Sequence, residues 1–419
     1  MITTIIDWIL IILSTMVTIK SVKRLFSNNV RIIDFCLITF YIFNCLPVLL
    51  DKIIGVPNYN SWFSGFREAT SNEKVAIIYD IYMLLTLIIF MIYIRKTKKT
   101  KNQINYSENT INKYFLIILS IIPHIYIVAT GQLMNFKNYT SLSQRNLTTT
   151  SMELLNLFNQ ISLVSAFSLY FCKKNVKKSK LLFGIYLLSM CWIDGKRYIV
   201  LNIIVMFIFM KMKTDKEQHN IGKNLKMGLL IILLFSIFYT VYSKNKIEGV
   251  YSKNSISFYT DFRINFGRDD VIKFVIMKEL IYKEPILNYR GESILANFVM
   301  FIPRKVWENK PYPHYRYLSA ALYNKDILNI PAGMTPSIFD MGIANFYYAG
   351  IIITPLIIVI LCSLAEKSKS IMKQAIYTII LLNLLTQSLD AASGFIIAII
   401  ISDVYNYLFK RSNKENENM

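Results

Sequence analysis

The sequence is poor in acid, in histidine and in chain breakers. Against 47 Lys and Arg it has 26 Asp and Glu, with three His, 14 Gly and 10 Pro in 419 residues. So few Gly and Pro exclude a collagen-like or low-complexity chain. The five cysteines, Cys36, Cys45, Cys172, Cys191 and Cys362, fall in or beside apolar runs without metal-ligand spacing, so they read as small apolar side chains. No Asp-x-Asp pair occurs, and no metal site is expected. A net charge of +21 would suit nucleic acid, but the basic residues come as short clusters between apolar runs, with no basic arm or domain. No nucleic-acid partner is expected.

What the sequence has is apolar length. Hydrophobic residues make up 54% of it, and runs of about 15 to 20 residues recur from end to end, each bounded by charge. Only helices satisfy their own backbone amides in hydrocarbon without neighbouring strands. The expected fold is therefore all-α: a polytopic helical membrane protein of about 11 spans, within a range of about 10 to 12. The spans read as Ile5 to Ile19, Ile32 to Leu50, Val75 to Ile94, Tyr114 to Thr130, Glu153 to Cys172, Leu181 to Ile193, Tyr198 to Met212, Met227 to Tyr242, Phe339 to Ser363, Gln374 to Leu389 and Gly394 to Phe409. The first has no basic residue before it and no small-residue cleavage site after it, and reads as a retained anchor.

Charge then sets the orientation. Alternate connections (Lys20 to Arg31, from Arg95, from Lys173, Lys211 to Lys226, Lys367 to Lys373, and the tail from Lys410) hold 26 Lys and Arg; the short connections of the other set hold seven. By the positive-inside rule the N-terminus lies outside and the C-terminus in the cytoplasm. Three regions follow: an N-terminal bundle of about eight spans over 1–242, a large extracytoplasmic loop over 243–338, and about three C-terminal spans with a short tail over 339–419. Long segments cross regardless of charge, so the loop's 14 basic residues do not oppose this. Within it, VIKFVIMKELIY from Val271 and ILANFVMFIP from Ile294 are too short to span and suit interfacial helices. There is no internal repeat of the kind that builds many transporters.

Polar residues inside spans mark cavities or partners. Asn44, the triplet Asn156, Asn159 and Gln160, Asp194, Asn202, Gln387 and Asp390 all lie toward the outer side and suggest a vestibule opening outward. The Gly195-Lys196-Arg197 turn reads either as a pair snorkelling to headgroups or as a phosphate clamp, since Arg offers a rigid fork of donors and Lys a mobile point charge. In the long loop, Arg263, Arg268, Arg290, Arg304, Lys310 and Arg316 interleave with Trp307, Tyr312, Tyr315 and Tyr317. Aromatic faces pack on sugars and basic forks hold phosphates, so the mixture suits a glycan-phosphate ligand, and lipid headgroups equally.

On these residues the chain resembles the Wzy-type oligosaccharide repeat-unit polymerases of O-antigen and capsular polysaccharide synthesis. The resemblance rests on topology, on the Gly195-Lys196-Arg197 turn, on the run Pro303, Arg304, Trp307, Lys310, Pro311, and on Thr335, Pro336, Ser337, Asp340, Asn345, Phe346 and Gly350 at the entry to a span. It implies a membrane glycosyltransferase of the bacterial plasma membrane. That enzyme would polymerise undecaprenyl-pyrophosphate-linked oligosaccharide by inverting sugar transfer at the outer face, without a cofactor, beside a flippase and a chain-length regulator. Cations would grip pyrophosphate, and a base would face the acceptor hydroxyl. Lys196, Arg197, Arg263, Arg268, Arg304, Lys310 and Arg316 are the expected pyrophosphate and glycan ligands, with Trp307 and Tyr315 beside them. Asp270, His314, Asp340 and Glu292 stand level as the base. A glycan ligase of similar architecture and a lipid-linked oligosaccharide flippase or exporter are the alternatives.

Overall fold

The computed structural model describes residues 2–25, 31–59, 63–97, 111–137, 145–172, 179–214, 258–331 and 333–417. Helices and short helical turns make up the regular structure, with no strand among the described residues. Six helices are long and apolar enough to cross a membrane by length and composition: Thr3–Leu25, Ile32–Ile54, Glu73–Lys96, Thr150–Cys172, Ile338–Lys367 and Leu389–Leu408. Two shorter apolar helices are Lys113–Ala129 and Ile371–Thr386. The protein is thus a multi-pass helical membrane protein. The expected span Met227 to Tyr242 lies outside the described residues.

In chain order the elements used below are α1 (Ile2–Leu25), α2 (Ile32–Ile54), α3 (Ser64–Ser71), α4 (Glu73–Lys96), α5 (Lys113–Ala129), α6 (Thr149–Phe167), α7 (Lys180–Asp194) and α8 (Arg197–Thr214). After them come α9 (Phe258–Phe266), α10 (Asp269–Ile276), α11 (Glu292–Phe298), α12 (His314–Tyr323), α13 (Ile338–Phe346), α14 (Gly350–Lys367), α15 (Ile371–Thr386) and α16 (Ser393–Glu417). Polar residues start several of them at the points where charge ends and hydrocarbon begins. Asn72 accepts from the amides of Lys74 and Val75, and Ser370 from that of Lys373. Such caps satisfy amides that a helix start otherwise leaves open. At the other end of α7, Gly195 takes φ 65° and turns the chain into α8.

Helix α15 is mostly apolar and buried over nearly its whole length, with α2, α8, α14 and α16 packed about it. Two expectations change at its flank. The run from Phe339 is not one straight span, because Tyr347 takes φ 56° and α13 folds back on α14. The cause is a glycine crossing: a Cβ at Gly350 would stand 2.2 Å from the Gly342 carbonyl oxygen. Tyr82 secures the fold-back, its hydroxyl lying 3.3 Å from the carbonyls of both Phe339 and Gly350. The second change is α10, expected at an interface. It is buried on every face, against α3, α4 and α13, because its charged residues are all paired inside.

Gly350→Ala should therefore part α13 from α14 and cost about 1–3 kcal/mol, since backbone and not a flexible side chain meets the new methyl. Gly184→Ala, in open space on α7, should cost nothing. Thermal unfolding in detergent compares the two.

Candidate functional site

The described residues between α8 and α13 pack into the bundle through two polar centres. The first is built on Arg263 of α9, a guanidinium with no exposed surface. Its forks meet Asp51 of α2, Asp269 at 2.7 Å and Asp270 at 2.7 Å. Tyr59 donates to Asp270, Tyr259 to Asp51 at 2.7 Å, and Lys273 to Asp269 at 3.0 Å. Three carboxylates thus face two cations. Burial pushes Asp270 up to about 7 against the pull of Arg263, and Asp269 adds to the rise. This centre is an ion-pair lock: Arg263 and Asp270, expected at the ligand and at the acceptor hydroxyl, are each committed to one another. Arg268 next to it is buried as well, donating to the Thr386 carbonyl at 3.0 Å and lying 5.5 Å from the centroid of the Phe43 ring.

The second centre lies where α11, α12 and α13 meet. Glu292, on the first turn of α11, accepts from the Tyr317 hydroxyl at 2.6 Å, from the Asn288 amide at 2.9 Å and from the Asn288 side chain at 3.0 Å. The Tyr317 hydroxyl in turn accepts from the Tyr312 amide at 3.1 Å. Burial, with the Glu292 carboxylate beside it, raises the phenol of Tyr317 above its ordinary range, so it is a proton-bearing donor. On the Tyr312 ring stand two guanidiniums, Arg304 at 3.6 Å and Arg316 at 5.3 Å from the centroid. Arg304 donates to the carbonyls of Lys310 and Pro311, and neither arginine has a carboxylate partner among the described residues.

Around this pair the remaining candidates fall into place. His314 and Asp340 are both wholly buried and joined at 3.0 Å, with the other Asp340 oxygen taking the amide and hydroxyl of Ser337 at 2.6 and 2.7 Å. They brace α12 against the start of α13. Lys310 is tied to the carbonyls of Met300 and Ile302 and, at 3.4 Å, to Glu153 of α6, which anchors the segment to the bundle. Trp307 and Tyr315 are half-buried on either side of this stretch. Arg290 pairs with Glu279 at 2.6 Å.

The polar residues of the spans that were expected to line an outward vestibule behave differently. Asn156, Asn159, Gln160, Asp194 and Tyr198 are buried and bonded to one another: Tyr198 donates to Asn156 at 2.5 Å, and Gln160 accepts from the Gly394 amide at 2.8 Å. They join α6, α7, α8 and α16 as interface bonds, the role polar side chains commonly take between spans. Lys196 sits with this network, over the Tyr198 ring at 5.8 Å, and Arg197 opens α8, its side chain outside the described ones.

The opening lies instead beside Glu292. A polar pocket of about 440 Å³ is lined by Lys278, Asn288, Tyr317, Asn324, Lys325 and Ile327, among others. Two of these, Asn288 and Tyr317, are the residues that hold Glu292. Only Tyr317 of the six stood out in the sequence; Asn288 lies in the bend before α11 and carried no local signal. Among the described residues no group of three or more His, Cys, Asp and Glu could hold a metal. No family model, curated protein or solved structure matches the chain.

Proposed function

We propose that the protein polymerises polyprenyl-pyrophosphate-linked oligosaccharide at the outer face of a bacterial plasma membrane, through about 11 spans with the N-terminus outside and the C-terminus in the cytoplasm. One observation carries the reading. Tyr312 holds on its ring two guanidiniums without carboxylate partners among the described residues and bonds through its amide to Tyr317, so anion-binding and proton-accepting groups stand together.

In this reading the acceptor's hydroxyl oxygen attacks the anomeric carbon of the donor sugar, and the bond from that carbon to pyrophosphate breaks. The hydroxyl proton passes to the Tyr317 oxygen as the Tyr317 proton moves to Glu292. The departing pyrophosphate gathers its charge between Arg304 and Arg316, where forked donors need no rearrangement as charge develops. Asn288, Asn324 and Lys325 would meet the acceptor glycan in the polar pocket. An exporter would need polar groups exposed along a path through the bundle. Asn156, Asn159, Gln160, Asp194 and Tyr198 are instead buried where α6, α7 and α8 meet, which favours the enzyme.

Tyr317→Phe should lower polymerisation about 10²-fold by removing the relay, while leaving binding of the lipid-linked donor unchanged. Turnover with purified protein, beside donor binding on the same sample, checks it. For topology, Lys325→Cys in a background without the five native cysteines should react with an impermeant maleimide on intact cells. Protection until the cells are broken would place the site in the cytoplasm and end the proposal. Deleting the gene should leave single repeat units; full-length chains on the wrong acceptor would indicate a ligase.

A further inference from the structure

On the side of α11 and α13 away from Glu292 lies a second cavity, of about 410 Å³. Its walls are almost wholly apolar: Ile294 of α11, Met341 of α13, Thr354, Ile357 and Leu361 of α14, and Leu384 of α15 are representative. The α14 residues recur at the spacing of one helical face, from Thr354 to Leu364, a length of about 15 Å. Both Leu364 and Ile400 at its edge are exposed, so the groove opens sideways out of the bundle within the apolar depth of the helices.

Helices α11 and α13 border both the groove and the candidate site. Ile294 and Glu292 are two residues apart on one short helix, which turns them to opposite sides. On α13 Met341 faces the groove while Asp340 is bonded to His314, and Asn345 is bonded to Ser293. The glycines matter here too. Gly342 lines the groove, and its contact with α14 is what folds α13 over the groove's end.

The geometry points to this groove as the seat of the polyisoprenoid chain of the lipid-linked glycan, with the pyrophosphate at Arg304 and Arg316. This rests on the proposed function and names where that substrate's tail lies. The volume spread over the length gives room for one hydrocarbon chain and not for the paired chains of a diacyl lipid. Arg304 and Arg316, without carboxylate partners among the described residues, match the charge of a pyrophosphate head.

The test uses a polyprenyl phosphate carrying a diazirine in its isoprenoid chain, added to the purified full-length protein in nanodiscs, with crosslinked peptides mapped by mass spectrometry. Adducts should concentrate on Ile357 to Leu364 and Tyr377 to Leu384. Excess unlabelled polyprenyl phosphate should suppress them at least about tenfold, and the same excess of phosphatidylglycerol should not. Ile357→Trp with Leu361→Trp, filling the groove, should reduce them comparably; Ile352→Trp, on a face of α14 that is 54% exposed, should not. The wild-type map needs no variant to fold. Adducts spread over all exposed faces, equal competition by phosphatidylglycerol, or a groove found covered by residues 227–242 would each overturn the assignment. Polymer formation without adducts in the groove sinks the groove alone. Mapped adducts without sugar transfer leave the groove standing and remove the polymerase reading.

Discussion

Replacing Arg304 and Arg316 together by alanine is expected to lower polymerisation on the order of 10⁴-fold. Each guanidinium removed from a developing oxyanion costs about 10²–10³ in rate, and the two act on one leaving group from the same tyrosine ring. Arg304→Lys and Arg316→Lys should recover only part of this, because an ammonium keeps the charge without the fork. Arg304 also caps the carbonyls of Lys310 and Pro311, so its loss could loosen the loop as well as the site. Arg316 makes no such backbone bond among those described, and Arg316→Ala alone separates the two effects. It should leave thermal stability within about 0.5 kcal/mol and still cost at least about 10²-fold in rate. A full rate from the double variant, measured on purified protein, would remove the clamp from the account.

Arg263→Ala should act by another route, removing folded protein and not the rate of what remains. Deleting one partner of a buried ion pair costs about 3–5 kcal/mol, and here three carboxylates lose their common cation at once. The loss should reach or exceed the upper end of that range, a large share of any membrane protein's margin. Arg263→Lys cannot reach Asp51 on one side and Asp269 and Asp270 on the other with a single ammonium, and should restore little. Arg263→Met with Asp269→Asn and Asp270→Asn removes the stranded charge and should regain part of the stability. Unfolding in detergent, read beside the specific activity of the surviving fraction, distinguishes the lock from a ligand site. A stable Arg263→Ala protein with a specific lesion in activity would reverse the assignment.

The positions of the long helices were legible because hydrocarbon imposes length and composition on every run that enters it. The run from Ile32 becomes Ile32–Ile54, and that from Val75 becomes Glu73–Lys96, extended at their ends by Asp51 and Lys52, and by Glu73 with its Asn72 cap. The fold-back at Gly342 and Gly350 was not legible. An apolar run looks the same whether it continues or doubles back, and the only local sign was two glycines eight apart with a pair of tyrosines between. Nor could the sequence separate the arginines of the long segment. Arg263 and Arg304 sit in similar Tyr- and Phe-rich surroundings, but the carboxylate that claims Arg263 from α2 is 212 positions away. Charge pairing is a property of distant contacts. For the same reason three acids and a histidine looked equal as the base, and only the packing of α11 on α12 joins Glu292 to a pocket through Asn288 and Tyr317.

The most direct measurement is made in vitro, with the purified protein in nanodiscs, its lipid-linked repeat unit as both donor and acceptor, and the products run on a gel. The account predicts a ladder spaced by one repeat unit, abolished in the Arg304→Ala/Arg316→Ala protein and much weakened by Tyr317→Phe. A single unextended band from wild-type protein, or a ladder indifferent to those substitutions, would contradict it.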